Sequence, residues 1–175
     1  MRADDVRQVF GDYHNLLRWL TGFLTQEGEM ADACIVDACT VADTQAPEFH
    51  EWLIHWAARA TVARALQGER PRLAALAPKY EQNEPAHRSH PALSPAQLLL
   101  LVNNSEEIGA RLDVLCRFVL IVCGIANNSC DEVASQLGIS PSAVQGAYCV
   151  AFDTLEALAS VVPQCVADNV SCCKA

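Results

Sequence analysis

The residues with most chemistry to offer are the nine cysteines in this 175-residue chain. A thiolate can ligate a soft metal, attack an electrophile or close a disulfide. Cys116, Cys123 and Cys130 recur every seven residues. The first two share a helix face, and the third lies beyond a helix break. No C-x-x-C knuckle accompanies them, and no neighbouring His or carboxylate ligands do. They read as small hydrophobes packed in a core. Cys34 and Cys39, five apart on one helix, read the same way. The Cys172-Cys173 pair lies on a polar tail and reads as incidental, with a redox or soft-metal handle as the alternative. The cysteine total is odd and matches no disulfide framework, so reduced thiols are expected. His87 and His90 lie in a proline-rich stretch without a scaffold. His50 and His55 diverge by about 140° around a helix. There is no serine elbow, no paired-carboxylate signature and no phosphate loop. The sequence points to no enzyme, no cofactor and no resident metal.

The elements behind these residues are helical throughout. Residues 4–25 carry Val6, Val9, Phe10, Tyr13, Leu16, Leu17, Leu20 and Leu24 at spacings of three and four. Residues 29–43 form a second helical pattern. Pro47 opens a third, which runs to about Leu66, with Phe49, Trp52 and Trp56 as its core stripe and Gly68 as its stop. Residues 69–93 hold Pro71, Pro78, Pro85 and Pro91 among polar residues, and read as a part-extended linker. A short helix over 97–103 comes next. A longer one runs from 105 to Cys123, ended by Gly124 and Asn127-Asn128. No β signal is present. The fold expected is all-α, with two small helical domains joined by a Pro-rich linker. The domains cover 1–68 and 94–162, the linker 69–93 and the tail 163–175.

Residues 129–148, SCDEVASQLGISPSAVQGAY, read as two helices joined by a tight turn. Ser129 and Glu132 make a capping box. Gly138 suits the left-handed residue that ends a helix. Ser140 caps the next helix and Pro141 takes its first position. Ala134, Gly138 and Val144 are the small residue, turn glycine and packed aliphatic of a helix-turn-helix.

Charge opposes a DNA-reading role. The net charge is −9, and no Lys or Arg occurs between residues 118 and 173. A DNA reader draws most of its affinity from neutralised phosphates. The acidic second block can instead dock on a basic surface, the first block's Arg-bearing helix being one candidate. The longest apolar run, 118–123, is too short to span a membrane. The start of the chain lacks a signal peptide's apolar region. A cytoplasmic protein with no membrane partner is expected.

Three stretches together resemble the extracytoplasmic-function sigma factors of bacterial RNA polymerase. Ala31-Asp32-Ala33-Cys34-Ile35-Val36-Asp37-Ala38-Cys39 sits where that family has a run like AEDLVQDAF. Phe49-His50-Glu51-Trp52-Leu53, then Ala57-Ala58-Arg59, sits where it has F-x-x-W-L and I-A-R-N. Asp131-Glu132-Val133-Ala134-Ser135-Gln136-Leu137-Gly138-Ile139-Ser140 is similar to its E-E-I-A-x-x-L-G-I-S. With the helix pattern, the resemblance extends to about Ser160. It implies a region 2-like three-helix unit that binds polymerase and opens promoter DNA. It also implies a region 4-like unit whose helix-turn-helix reads an upstream promoter element.

The resemblance assigns Asp32 and Asp37 to polymerase contact. It assigns Arg59, Arg64, Arg70 and Arg72, with Ser140, Ser142 and Gln145, to residual DNA contact. Departures are concentrated in those functions. Ala33 and Val36 replace an acid and a Gln, and Arg59 and Ala63 replace an Asn and an Asp. Every basic position of the recognition helix is lost across residues 142–151. These features together describe a sigma factor-like protein, degenerate in promoter reading, acting through protein contacts. Its partners would be core RNA polymerase, a regulatory protein or a second copy of itself. The alternatives are a working sigma factor and a cysteine-based metal-binding or redox module.

Overall fold

The structure is a computed structural model that describes residues 3–26, 28–42, 50–81 and 92–161. Among the described residues it is helical, without strands, as the periodicity predicts. The first part comprises α1 (Ala3–Asp12), α2 (His14–Thr25), α3 (Gly28–Ala42) and α4 (His50–Glu81). The second comprises α5 (Pro95–Asn103), α6 (Ser105–Arg111), α7 (Val114–Val119), α8 (Cys130–Leu137) and α9 (Pro141–Val161). A π-helical stretch, Leu120–Ile125, continues α7.

The expected helix over 4–25 is interrupted at Tyr13, between α1 and α2. The expected helix from 105 to 123 is also divided. Leu112 is extended, and Asp113 starts a new helix by accepting a hydrogen bond from the Cys116 N–H at 3.1 Å. An aspartate in that place satisfies an N–H that the first turn leaves unpaired.

The largest departure concerns α4. It runs through Gly68, Pro71 and Pro78 as one helix of 32 residues. Residues 69–81 are therefore helix and not part-extended linker. Each proline removes a backbone hydrogen bond and crowds the preceding turn. Both prolines lie on the exposed side of α4. Its opposite side carries Ala57, Thr61, Ala65, Leu73, Ala77 and Tyr80, all buried. Burial of that stripe along the whole helix outweighs the local cost of the prolines. Residues 82–91, with His87 and His90, and the tail with Cys172 and Cys173 lie outside the described residues. So do the side chains of Phe49, His50, Trp52, His55 and Trp56.

Two apolar clusters line α4. The smaller joins Val9, Phe10, Leu17, Ile35, Ala38 and Ala57 from α1 to α4. The larger draws on both parts of the chain. In it Leu24, Leu73, Ala77 and Tyr80 pack with Leu115, Phe118, Val144 and Tyr148. The buried Arg117 ties the parts further. Its Nε donates to the Leu24 carbonyl at 3.2 Å, and its Nη1 to the Gly109 and Leu112 carbonyls, each at 2.9 Å. It thereby serves the C-terminal ends of α2 and α6, where carbonyls lack helical partners. No helix among the described residues is long and apolar enough to cross a membrane.

Candidate functional site

The helix-turn-helix is built by α8 and α9 from contacts that are nearly all local. The Glu132 N–H donates to Ser129 Oγ at 3.2 Å, and the Ser129 N–H donates to Glu132 Oε2 at 3.0 Å. That second bond holds the Glu132 carboxyl below the usual carboxylate range. Gly138 takes φ 70° and ψ 33°, ending α8 with its N–H on the Ala134 carbonyl. Ser140 Oγ accepts from the Ala143 N–H at 3.2 Å and opens α9. Val133, Ala134 and Leu137 on α8, and Val144 and Ala147 on α9, are buried between the helices and the core.

One side of the second helix of this unit is covered, at Gly146, while Ser142, Asp153 and Glu156 are exposed. The C-terminal end of α4 lies against it. A Cβ built on Gly146 would stand 2.5 Å from the Tyr80 carbonyl oxygen, so only a glycine admits this approach. Beside it, Ser140 Oγ donates to Glu81 Oε1 at 2.7 Å and lies 3.1 Å from Ser142 Oγ. Gln145 is half-buried, and Ser142 is exposed. Arg70 Nη2 donates to the Gln136 carbonyl at 2.7 Å, near the end of α8. A cation at a helix C-terminus is favourably placed against the helix dipole. The acidic block is thus docked on the Arg-bearing helix.

Of the other residues singled out by the resemblance, Arg64, Arg72, Asp32 and Asp37 are engaged within the chain. Arg64 Nη2 and Nε donate to Asp37 Oδ2 at 2.9 and 3.2 Å, and its Nη1 donates to Gln67 Oε1. One expected DNA contact thereby pairs with one expected polymerase contact. Asp32 Oδ1 stands 3.6 Å from both His14 Nε2 and Arg18 Nε. Arg72 is paired with Glu69, which is 4% exposed. Arg59 is exposed on α4. The structure brings Arg70, Ser140, Ser142 and Gln145 to the α4–α8–α9 junction, and places Arg59, Arg64, Asp32 and Asp37 toward the other end.

A second cluster at this junction is not anticipated by any motif in the sequence. The Tyr80 hydroxyl donates to Asp113 Oδ2 at 2.5 Å, and Lys79 Nζ donates to the same oxygen at 2.9 Å. The Cys116 thiol donates to the Tyr80 oxygen at 3.1 Å. Burial acts to raise the Asp113 carboxyl. The bonds from Tyr80, Lys79 and the Cys116 N–H outweigh it and hold the group below its usual range. Burial, then the Asp113 bond, pushes the Tyr80 phenol far up. Burial also takes the Cys116 thiol up to about 12, so it stays protonated near neutral pH. The cluster is a polar clasp between α4 and the start of α7. Its one sequence signal is an aspartate immediately before an apolar run, the pattern of an N-cap.

Among the described residues no three His, Cys, Asp or Glu side chains gather as metal ligands. Comparison of the chain with protein-family models, curated proteins and solved structures finds no match.

Proposed function

We propose that this chain is a sigma factor-like, transcription-related protein, degenerate in promoter reading, that acts in the cytoplasm through protein–protein contacts. In this reading α1–α4 correspond to the family's region 2 and α5–α9 to its region 4. The two units are packed on each other through the continuous helix α4. The observation that carries the reading is the contact of Gly146 with the Tyr80 carbonyl. It sets the Gly146 side of the helix expected to enter a DNA groove against the chain's own α4. The lack of Lys and Arg between residues 118 and 173 supports the same conclusion. A groove-binding helix without cations lacks the main source of non-specific affinity. The partner in this reading is core RNA polymerase.

Two measurements test the proposal together. Immobilised full-length protein is expected to retain purified bacterial core RNA polymerase. Fluorescence anisotropy with duplex DNA at low salt is expected to show no binding. Salt-dependent DNA binding, joined to run-off transcription from a promoter library, would show a working sigma factor and overturn the reading. Failure to retain polymerase would remove its partner.

A further inference from the structure

A groove of about 410 Å³ opens where α2 faces the start of α6, lined by Trp19, Gly22, Phe23, Gln26, Ser105 and Glu106. Its floor is aromatic. The Trp19 and Phe23 rings stack along α2, with centroids 5.9 Å apart and planes 12° from parallel. A Cβ built on Gly22 would meet no atom within 4 Å, so the space beside the rings is open. Gln26 closes one end. It takes φ 58° as it caps α2, and its side-chain amide lies over Gly109 of α6, where a Cβ would stand 2.7 Å from Nε2. Toward the other end, Leu16 lies three residues before Trp19 on the same face and is 48% exposed. The aromatic floor thus continues along α2 as an apolar strip. That shape suits a chain segment, with anchors spaced along it, better than a compact small molecule.

Two groups at the groove lack partners. Trp19 Nε1 is buried and donates to nothing. An unmade buried donor is costly, and one on a residue that lines a groove calls for an acceptor from outside. Glu106 is exposed in the first turn of α6 and makes no ion pair among the described residues. The arginines of the two helices are already taken. Arg111 pairs with Glu107, and Arg18 Nε stands 3.6 Å from Asp32 Oδ1. The chain as a whole carries a net charge of −9, which draws in a cationic occupant from a distance. The groove therefore offers a π face, a carboxylate and an unused donor side by side. A guanidinium is the cation that matches a flat indole face, and its fork matches a carboxylate. Lysine has neither the plane nor the fork.

We propose that this groove docks an arginine-bearing peptide segment of a partner protein. The guanidinium lies on the Trp19 ring and donates to the Glu106 carboxylate. A main-chain carbonyl of the segment accepts from Trp19 Nε1. An apolar side chain beside the arginine packs on Leu16. The site joins α2 to α6, the same two helices whose ends Arg117 ties from within through the Leu24 and Gly109 carbonyls. Occupation of the groove adds an outer tie to that inner one. The inference does not require the partner to be RNA polymerase.

The test uses isotope-labelled full-length protein at low salt and the probe acetyl-Leu-Arg-amide, followed by NMR through the indole N–H signals. The Trp19 signal is identified by its loss in Trp19→Phe. It is expected to move downfield on titration and to saturate with a Kd of about 1 mM. The citrulline analogue of the probe, similar in shape and uncharged, is expected to leave the signal in place over the same range. Glu106→Gln, at an exposed position, is expected to weaken binding about fivefold, the size of an exposed charge pair. The spectrum of the variant reports directly that it is folded. Added salt is expected to weaken probe binding more in the wild type than in Glu106→Gln. No movement at about 10 mM probe would overturn the proposal. Equal movement with the citrulline analogue, or equal affinity in Glu106→Gln, would also overturn it. So would a Trp19 signal that moves when the protein alone is concentrated, which would assign the groove to a second copy of the chain. None of these readouts involves polymerase, so this inference and the proposed function fail separately.

Discussion

The two ends of α4 are held in different ways. Near its start, Ala57 packs in a small cluster made wholly of apolar side chains, with Val9, Phe10, Leu17, Ile35 and Ala38. Among the described residues, a polar tie toward that end, Arg64 to Asp37, lies at the surface with both partners about half exposed. Near its finish, polar groups are built into the core. Tyr80, Asp113, Cys116 and Arg117 bond among apolar neighbours, and Arg70 and Glu81 reach α8 and α9 alongside them. The difference teaches what each kind of contact contributes. Apolar burial is non-directional and brings helices together. Hydrogen bonds are directional, and an unmade one in the interior is costly, so they select one register. The second end is where one side of the expected DNA-reading helix is covered, at Gly146, and there the covering is specified by direction as well as by burial.

The comparison can be broken most directly at Arg117. Arg117→Met removes the donor from the Leu24, Gly109 and Leu112 carbonyls. A loss of about 3 kcal/mol in urea unfolding is expected. A loss below about 1 kcal/mol would mean that the Arg117 bonds contribute little to holding the second end.

Asp113→Ala is the next largest. It removes the cap of α7 and the partner of Tyr80 and Lys79, with an expected loss of about 2 kcal/mol. Its pH signature comes from the lowered carboxyl. A carboxyl whose folded value lies below its unfolded value stabilises the fold above the unfolded value of about 3.9. That contribution is lost as pH falls through the folded value. Wild-type stability is therefore expected to fall more steeply on acidification below about pH 4 than that of Asp113→Asn. Parallel acid limbs in the two proteins would show that the clasp contributes nothing.

Gly146→Ala sharpens the comparison at a single atom. The added methyl meets the Tyr80 carbonyl, which belongs to backbone and cannot swing aside. Strain of about 1–3 kcal/mol is expected, reduced by about 1 kcal/mol of helix propensity. A net loss near 1 kcal/mol, read by urea unfolding, is the expected outcome. A gain in stability would show that α9 stands clear of α4.

The smallest effect is expected at the first end. Arg64→Ala breaks a half-exposed ion pair, and a change within about 0.5 kcal/mol is expected. A loss comparable to that of Asp113→Ala would erase the distinction between the ends.

Much of the helix-turn-helix is legible in the sequence because its determinants are close neighbours. Ser129 and Glu132 are three residues apart, Ser140 reaches Ala143, and Gly138 acts through its own backbone. The α4 helix was not legible past Gly68. Two prolines and a glycine argue locally for a stop. What overrides them is the burial of Leu73, Ala77 and Tyr80 against residues far along the chain. The break at Leu112 was hidden for a related reason. Apolar residues continue at helical spacing on both sides, and only the engagement of Asp113 by Tyr80 and Cys116 marks a new start. The seven-residue recurrence of Cys116, Cys123 and Cys130 was visible, but its meaning depended on a π turn and a reversal. Of the three, Cys116 packs in the core and joins the clasp, Cys123 is buried in the π-helical stretch, and Cys130 is the half-buried first residue of α8.

By itself the sequence determined the helical class, the caps and the turn of α8 and α9. It also determined that no cation arises between residues 118 and 173. Those features depend on residue identity and on neighbours within one helical turn. The tertiary structure alone decided that α4 continues to Glu81, that its end covers α9 at Gly146, and that Arg64 is held by Asp37. Each of these rests on groups brought together from distant parts of the chain. There, burial outweighs local propensity and direction selects among partners that the sequence leaves equivalent.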